Sequence, residues 1–220
     1  MAKLFTSGTA IKIIAQVADA NPHFNFSSIF AIMNSIMPAK NKVIAIVGMA
    51  GSGKTEVARV FEQNGFVRVR FGDITDEEVK KRGLVLDEDN ERHIRELLRK
   101  EHGMAAYAKL NIPRIDAARE KSNVVVDGLY SWEEYRLLKE RYGADFTVVA
   151  VWAPPAMRYT RLGSRAERPL TRAEATSRDR TEIENTNKGG PIALADHTIG
   201  NESSLSDLHK EANKLLARWK

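Results

Sequence analysis

Eight consecutive residues, Gly48-Met-Ala-Gly-Ser-Gly-Lys-Thr55, carry the strongest chemical signal in this chain. They fit the pattern G-x-x-x-x-G-K-[ST], directly after the apolar run Val43 to Val47 and directly before an amphipathic stretch that begins at Lys54. Glycines at 48, 51 and 53 let the backbone curl, so that successive N–H groups, those of Ala50 and Ser52 included, line one concave surface at the positive end of a helix. Such a surface binds a chain of phosphates. Lys54 adds a point charge for the outer phosphates, and the Thr55 hydroxyl adds a ligand for the magnesium ion that bridges them.

Two carboxylates belong to the same edge. Asp73 follows an expected strand from Val67 to Phe71, and Asp127 closes another from Val124 to Asp127. Ligands of an open parallel sheet bind at the carboxyl ends of its strands, which brings both side chains toward the phosphate loop. Asp127 is assigned to the metal side, and Asp73 to the acceptor side, where it would orient or deprotonate a hydroxyl. The plainer readings are a strand-end turn for Asp127 and a cap for Asp73, on a helix starting at Thr75.

A third group is basic. Arg158, Arg161 and Arg165 recur at intervals of three and four, forming one stripe on a helix. Guanidinium groups on a closing flap would neutralise the charge that gathers on a moving phosphoryl group while keeping water out. Arg168, Arg172, Arg178 and Arg180 continue the stretch, although Arg178-Asp179-Arg180 also reads as a solvated, internally paired helix face. Arg95, Arg99 and His102 read better as a charged helix face than as an acceptor pocket.

Bulk composition agrees with a folded enzyme. The 220 residues suit one well-packed domain, and 43% hydrophobic with 29% charged residues is ordinary for a globular chain. The absence of cysteine excludes disulfides, thiolate zinc sites and a cysteine nucleophile. No apolar run is long enough to span a membrane. The net charge of +5 is concentrated between Arg158 and Arg180, which favours one compact anionic ligand over a nucleic-acid track. Trp132, Trp152 and Trp219 fall on different elements with apolar neighbours, so they read as core residues rather than base-stacking ones.

Apolar strands alternate with helical patterns, the signature of a parallel sheet covered on both faces. Strands are expected at Val43 to Val47, Val67 to Phe71, Val124 to Asp127, Phe146 to Trp152 and His197 to Ile199. Helices are expected at Lys54 to Asn64, Asp87 to Glu101, Ala105 to Arg119, Trp132 to Arg141, Pro155 to Ser164 and Leu205 to Trp219. The fold expected is a three-layer α/β domain over residues 42–220, with strand order 2-3-1-4-5 and a mobile helical lid near Ala166 to Lys188. Residues 1–41 read as an extension of unassigned role. Lys12 interrupts the apolar run Ile11 to Ala20, which argues against a secretory leader and for a cytoplasmic protein.

From Lys42 to Lys220 the chain resembles the dephospho-CoA kinase and adenylate-kinase-related branch of P-loop kinases. Ala195-Asp-His-Thr-Ile-Gly-Asn201 with Ser203-Ser-Leu-Ser-Asp-Leu208 is similar to the last strand, adenine-side loop and final helix of dephospho-CoA kinases. That resemblance implies that Gly200 and Asn201 lie beside the base of ATP. Leu98-Arg-Lys-Glu-His-Gly-Met104 together with Val124-Val-Val-Asp-Gly128 resembles an adenylate-kinase-related family labelled dephospho-CoA kinase-like. Only Asp73 stands where dephospho-CoA kinases carry Asp-x-Asp, so dephospho-CoA and a nucleoside monophosphate both remain open as the small nucleotide-like acceptor. A third reading is an ATP-hydrolysing switch. Asn187-Lys-Gly-Gly190 lacks the aspartate of a GTPase base reader, and no Asp-Glu pair closes the third strand as in motor ATPases.

Overall fold

The computed structural model describes residues 41–166 and 169–219. The expected extension over residues 1–41 therefore lies outside the described residues, except for Asn41.

Five strands form one parallel sheet: β1 (Val43–Val47), β2 (Val67–Arg70), β3 (Val124–Asp127), β4 (Phe146–Trp152) and β5 (His197–Gly200). Their order is β2-β3-β1-β4-β5, which places β1 between β3 and β4, with Ile46 opposite Asp127 on one side and Val149 on the other. All five residues of β1 are fully buried, because helices cover both faces and the alternating side chains serve two separate cores. Val43, Ala45 and Val47 join one apolar cluster, while Ile44 and Ile46 join the other. Burying each of these larger side chains stabilises the fold by roughly 1.5–3 kcal/mol, so the strand that carries the phosphate loop is also among the most firmly held.

The helices are α1 (Lys54–Gln63), α2 (Asp73–Lys81), α3 (Glu88–His102), α4 (Ala106–Arg119), α5 (Trp132–Tyr142), α6 (Pro155–Gly163), α7 (Arg172–Glu184), α8 (Gly189–Ala193) and α9 (Leu205–Leu216). Three differences from the sequence reading matter. α2 begins at Asp73 itself, with Gly72 as its N-cap, so Asp73 does not cap a helix starting at Thr75. The second strand stops at Arg70, one residue early. Inside the expected lid, α7 is a regular helix started by a capping box, in which Thr171 accepts from the Glu174 N–H and Glu174 accepts from the Thr171 N–H. Residues 167 and 168 of that lid, Arg168 among them, lie outside the described residues.

Candidate active site

The loop between β1 and α1 adopts the conformation its glycines permit. Gly51 and Gly53 have φ of 77° and 102°, where an L side chain is strained. A Cβ on Gly51 would also stand 2.7 Å from the Arg158 carbonyl oxygen, so the loop is packed tightly against α6. Inside the curve the Lys54 ammonium donates to the Met49 carbonyl at 2.9 Å. Burial pulls its pKa down to about 7; Lys188 and Arg178 push the same way, against Glu182 and Asp127. A cation held that far below its ordinary value gains from any anion that enters. Thr55 follows in the first turn of α1, half-buried.

Asp127 sits where expected, at the end of β3 and beside β1, and its charge reaches Lys54. Its Oδ2, however, accepts from Arg68 Nη2 at 2.5 Å and from Nε at 3.2 Å. The V-R-V-R sequence of β2 explains this: Arg68 and Arg70 share a face, and Arg70 stands opposite Asp127 in register. Asp127 thus arrives partly neutralised, a partner that sequence reasoning missed. Arg70 turns instead to α2, donating at 2.7 Å to both Asp73 and Asp76. The Asp73 side chain is 45% exposed and shares the Arg70 guanidinium with Asp76.

The arginine stripe does not converge. Arg158 is a correction: its guanidinium is buried and donates to the Ala153 and Ala50 carbonyls and, through two nitrogens, to Asp179 at 2.8 and 2.6 Å. With those bonds made, Arg158 clamps the phosphate loop to α7 and is not free to meet a moving phosphoryl group. Arg161 donates from Nη2 to the Asn201 carbonyl at 2.9 Å, while its buried Nη1 has no hydrogen-bond partner among the described residues. Arg165, just past the end of α6, has burial and Arg178 lowering its pKa and no carboxylate among the described residues to oppose them. Nor do Arg178, Asp179 and Arg180 form one solvated face. Helical spacing sends Arg178 to Glu182, Asp179 to buried Arg158, and only Arg180 outward to Glu184.

Asn201 ties the last strand to the phosphate loop by donating to the Ser52 carbonyl at 2.8 Å. Gly53, Glu56, Arg161, Asn201, Ser203 and Leu208 border a cleft of about 230 Å³ there, whereas Gly200 is exposed at the end of β5.

Sequence reasoning also missed Lys188 and Glu182, which come from the end of α7 and the turn after it. Lys188 is 1% exposed and pairs with Glu182 at 2.8 Å. Glu182 is held down to about 2: burial would raise it, but Lys188, Lys54 and Arg178 together prevail. Among the described residues no group of three or more His, Asp or Glu side chains is placed to hold a metal ion by itself. No described helix is long and apolar enough to cross a membrane.

After β3, α5 begins with Ser131 and Glu134 in a capping box. Glu134 is completely buried, and burial raises its pKa to about 7, although the Tyr130 and Ser131 N–H groups, Arg99 and Lys188 favour its anion. Its folded pKa exceeds the ordinary glutamate value of 4.5, so the stability tied to its protonated form is present below pH 4.5 and lost as pH rises through about 7. Glu134→Gln should remove that dependence. Urea unfolding at pH 5 and pH 8 should show a wild-type loss, relative to the variant, of up to about 3 kcal/mol.

The fold and the glycine cradle together define an α/β P-loop domain. Residues 44–188 match the model of the AAA domain family. The chain belongs to that family and to the UPF0200 proteins: it is 36% identical over 180 residues to the UPF0200 protein of Thermococcus gammatolerans, covering 80% of this chain and 94% of that one. Among solved structures, a gluconokinase from Sinorhizobium meliloti superposes with a TM-score of 0.52 at 19% identity, over 82% of this chain and 94% of that one. A shikimate kinase from Acinetobacter baumannii gives 0.51 at 19% identity, over 82% and 95%. At that identity they share the fold.

Proposed function

We propose that this protein is a P-loop phosphotransferase that moves the γ-phosphoryl group of Mg-ATP to a small nucleotide-like acceptor, in the manner of dephospho-CoA kinases. The observation that carries this reading is the Lys54 ammonium, drawn into the glycine cradle with its pKa lowered to about 7 and faced by Lys188 and Arg178 from the lid side. A triphosphate supplies the negative charge that this arrangement lacks. The gluconokinase and shikimate kinase likenesses support a small-molecule acceptor.

The cradle fits the donor and its metal, since the positive φ at Gly51 and Gly53 curls the loop so that its backbone and the Lys54 ammonium line one curve. Thr55 and the Asp127 side would hold magnesium, which when bound supplies charge neutralisation between the outer phosphates. The cleft beside Arg161 and Asn201 would take the base. Transfer is in line: the acceptor oxygen forms its bond to phosphorus as the bridging bond to ADP breaks, and the acceptor's proton passes to Asp73. Arg161 and Arg165 are the lid-side arginines left for the transferred group once Arg158 is committed. Residues 42–220 form the catalytic unit in this reading, with 166–188 as lid and 1–41 as an extension, and the need for ATP places it in the cytoplasm.

The acceptor is found by incubating the protein and Mg-ATP with dephospho-CoA and with ribo- and deoxynucleoside monophosphates, then weighing the products by mass spectrometry. A mass gain of one phosphate on one acceptor class is the expected result. ATP loss at the same rate in every tube, with no phosphorylated product, would instead favour the hydrolytic switch.

A further inference from the structure

Lysine is seldom buried without a reason, and Lys188 is buried to 1% exposure by a short, well-braced segment. The Glu182 carbonyl accepts from both the Thr186 hydroxyl, at 2.6 Å, and the Lys188 N–H, at 3.2 Å. Asn187 between them has φ of 51°, the positive-φ non-glycine residue of the described chain, and it turns the backbone so that Lys188 points inward. Two residues on, Gly190 lies against Trp132, where a Cβ would meet the indole ring at 2.8 Å. The segment cannot slide. Its product is an ammonium 5.4 Å from the ring centroid of Tyr130, which follows Asp127 and Gly128 at the mouth of the sheet.

Around that ammonium the charges do not balance. Lys188 and Arg178 both bond to Glu182, and Lys54 acts on it from the phosphate loop. Three cations therefore share one carboxylate, while Asp127 is already engaged by Arg68. A carboxylate ringed by cations inside a phosphate cradle resembles a bound anion more than a structural ion pair.

Resting on the phosphotransferase reading above, we propose that Lys188 is a second phosphate-binding lysine that contacts the terminal phosphoryl group of the donor, and that Glu182 stands in for that group while the site is empty. When the donor arrives, Lys188 exchanges a carboxylate oxygen for a phosphoryl oxygen. Glu182 is then left to Arg178, four residues earlier on the same helix. Because the β-phosphate sits deeper in the loop on backbone N–H groups and Lys54, the effect of Lys188 should fall on ATP and not on ADP.

The test compares ADP with the non-hydrolysable β,γ-imido analogue of ATP, titrated calorimetrically into wild type, Lys188→Met, Lys188→Arg and Glu182→Gln, each checked for a native melting transition. Lys188→Met should weaken the ATP analogue roughly 10- to 100-fold while ADP affinity stays within about twofold. Lys188→Arg should restore part of the loss. Glu182→Gln should bind the ATP analogue several-fold more tightly, since no carboxylate competes. An unchanged ratio of ATP-analogue to ADP affinity in Lys188→Met would overturn the contact, and weaker binding by Glu182→Gln would overturn the stand-in. These failures leave the phosphotransferase reading intact, whereas a wild type that binds neither nucleotide would remove both.

Discussion

Lys54→Ala is expected to cut the rate of phosphoryl transfer roughly 100- to 1000-fold, the range seen when one preorganised charge-stabilising donor is removed from a site of this kind. The size follows from where the ammonium sits. It is half-buried, held by the Met49 carbonyl, and kept at a pKa of about 7 by burial and by Lys188. In a partly buried site an ammonium and a phosphate interact more strongly than on a surface. Truncation also relieves Lys188 and Arg178 of a like charge, so the variant should be no less stable than the wild type. A thermal melt alongside a transfer assay on the acceptor that the mass-spectrometric screen identifies separates the two effects: activity falls and the transition temperature holds. A variant that kept more than about a third of the wild-type rate would show that the cradle is not where transfer occurs.

Arg158→Ala is the change expected to cost most in stability. Arg158 and Asp179 are both buried and joined by two parallel hydrogen bonds, and the same guanidinium holds the Ala50 and Ala153 carbonyls. Removing one partner strands a buried carboxylate, which destabilises by about 3–5 kcal/mol. For a domain of this size that lowers the melting temperature by roughly 6–20 °C. The double variant Arg158→Met/Asp179→Leu should recover most of the loss, since it leaves no unpaired charge. Equal melting temperatures for the single and double variants would show that the destabilisation comes from the lost carbonyl bonds to the phosphate loop.

The phosphate loop and the sheet were legible because their signals are local. Glycine spacing, the buried run of β1 and the strand-helix alternation all sit within a few residues of one another, and the strand order follows from how such units wind. The wiring of the site was not legible. Arg158, Arg161 and Arg165 share a helical period, yet Arg158 pairs with Asp179 on α7, Arg161 with Asn201 after β5, and Arg165 lies within the field of the like-charged Arg178, and sequence spacing carries no record of what lies opposite. Arg68 could have been suspected from the V-R-V-R alternation, which puts charge on the face of β2 that meets Asp127. α7 had a visible start in Thr171-x-x-Glu174 but lacks an apolar stripe, because it pairs through charge. Lys188 gave no warning: Asn187-Lys-Gly-Gly190 shows only what it lacks, and its meaning lies in a positive φ and a distant tyrosine.

A calorimetric titration of the wild type with ATP, run once with magnesium and once with excess chelator, bears most directly on the claim that this sheet edge grips a metal-bound triphosphate. Saturable one-site binding that weakens at least tenfold without the metal is the outcome this account requires. No heat beyond dilution in the presence of magnesium, from protein with a normal melting transition, would contradict it.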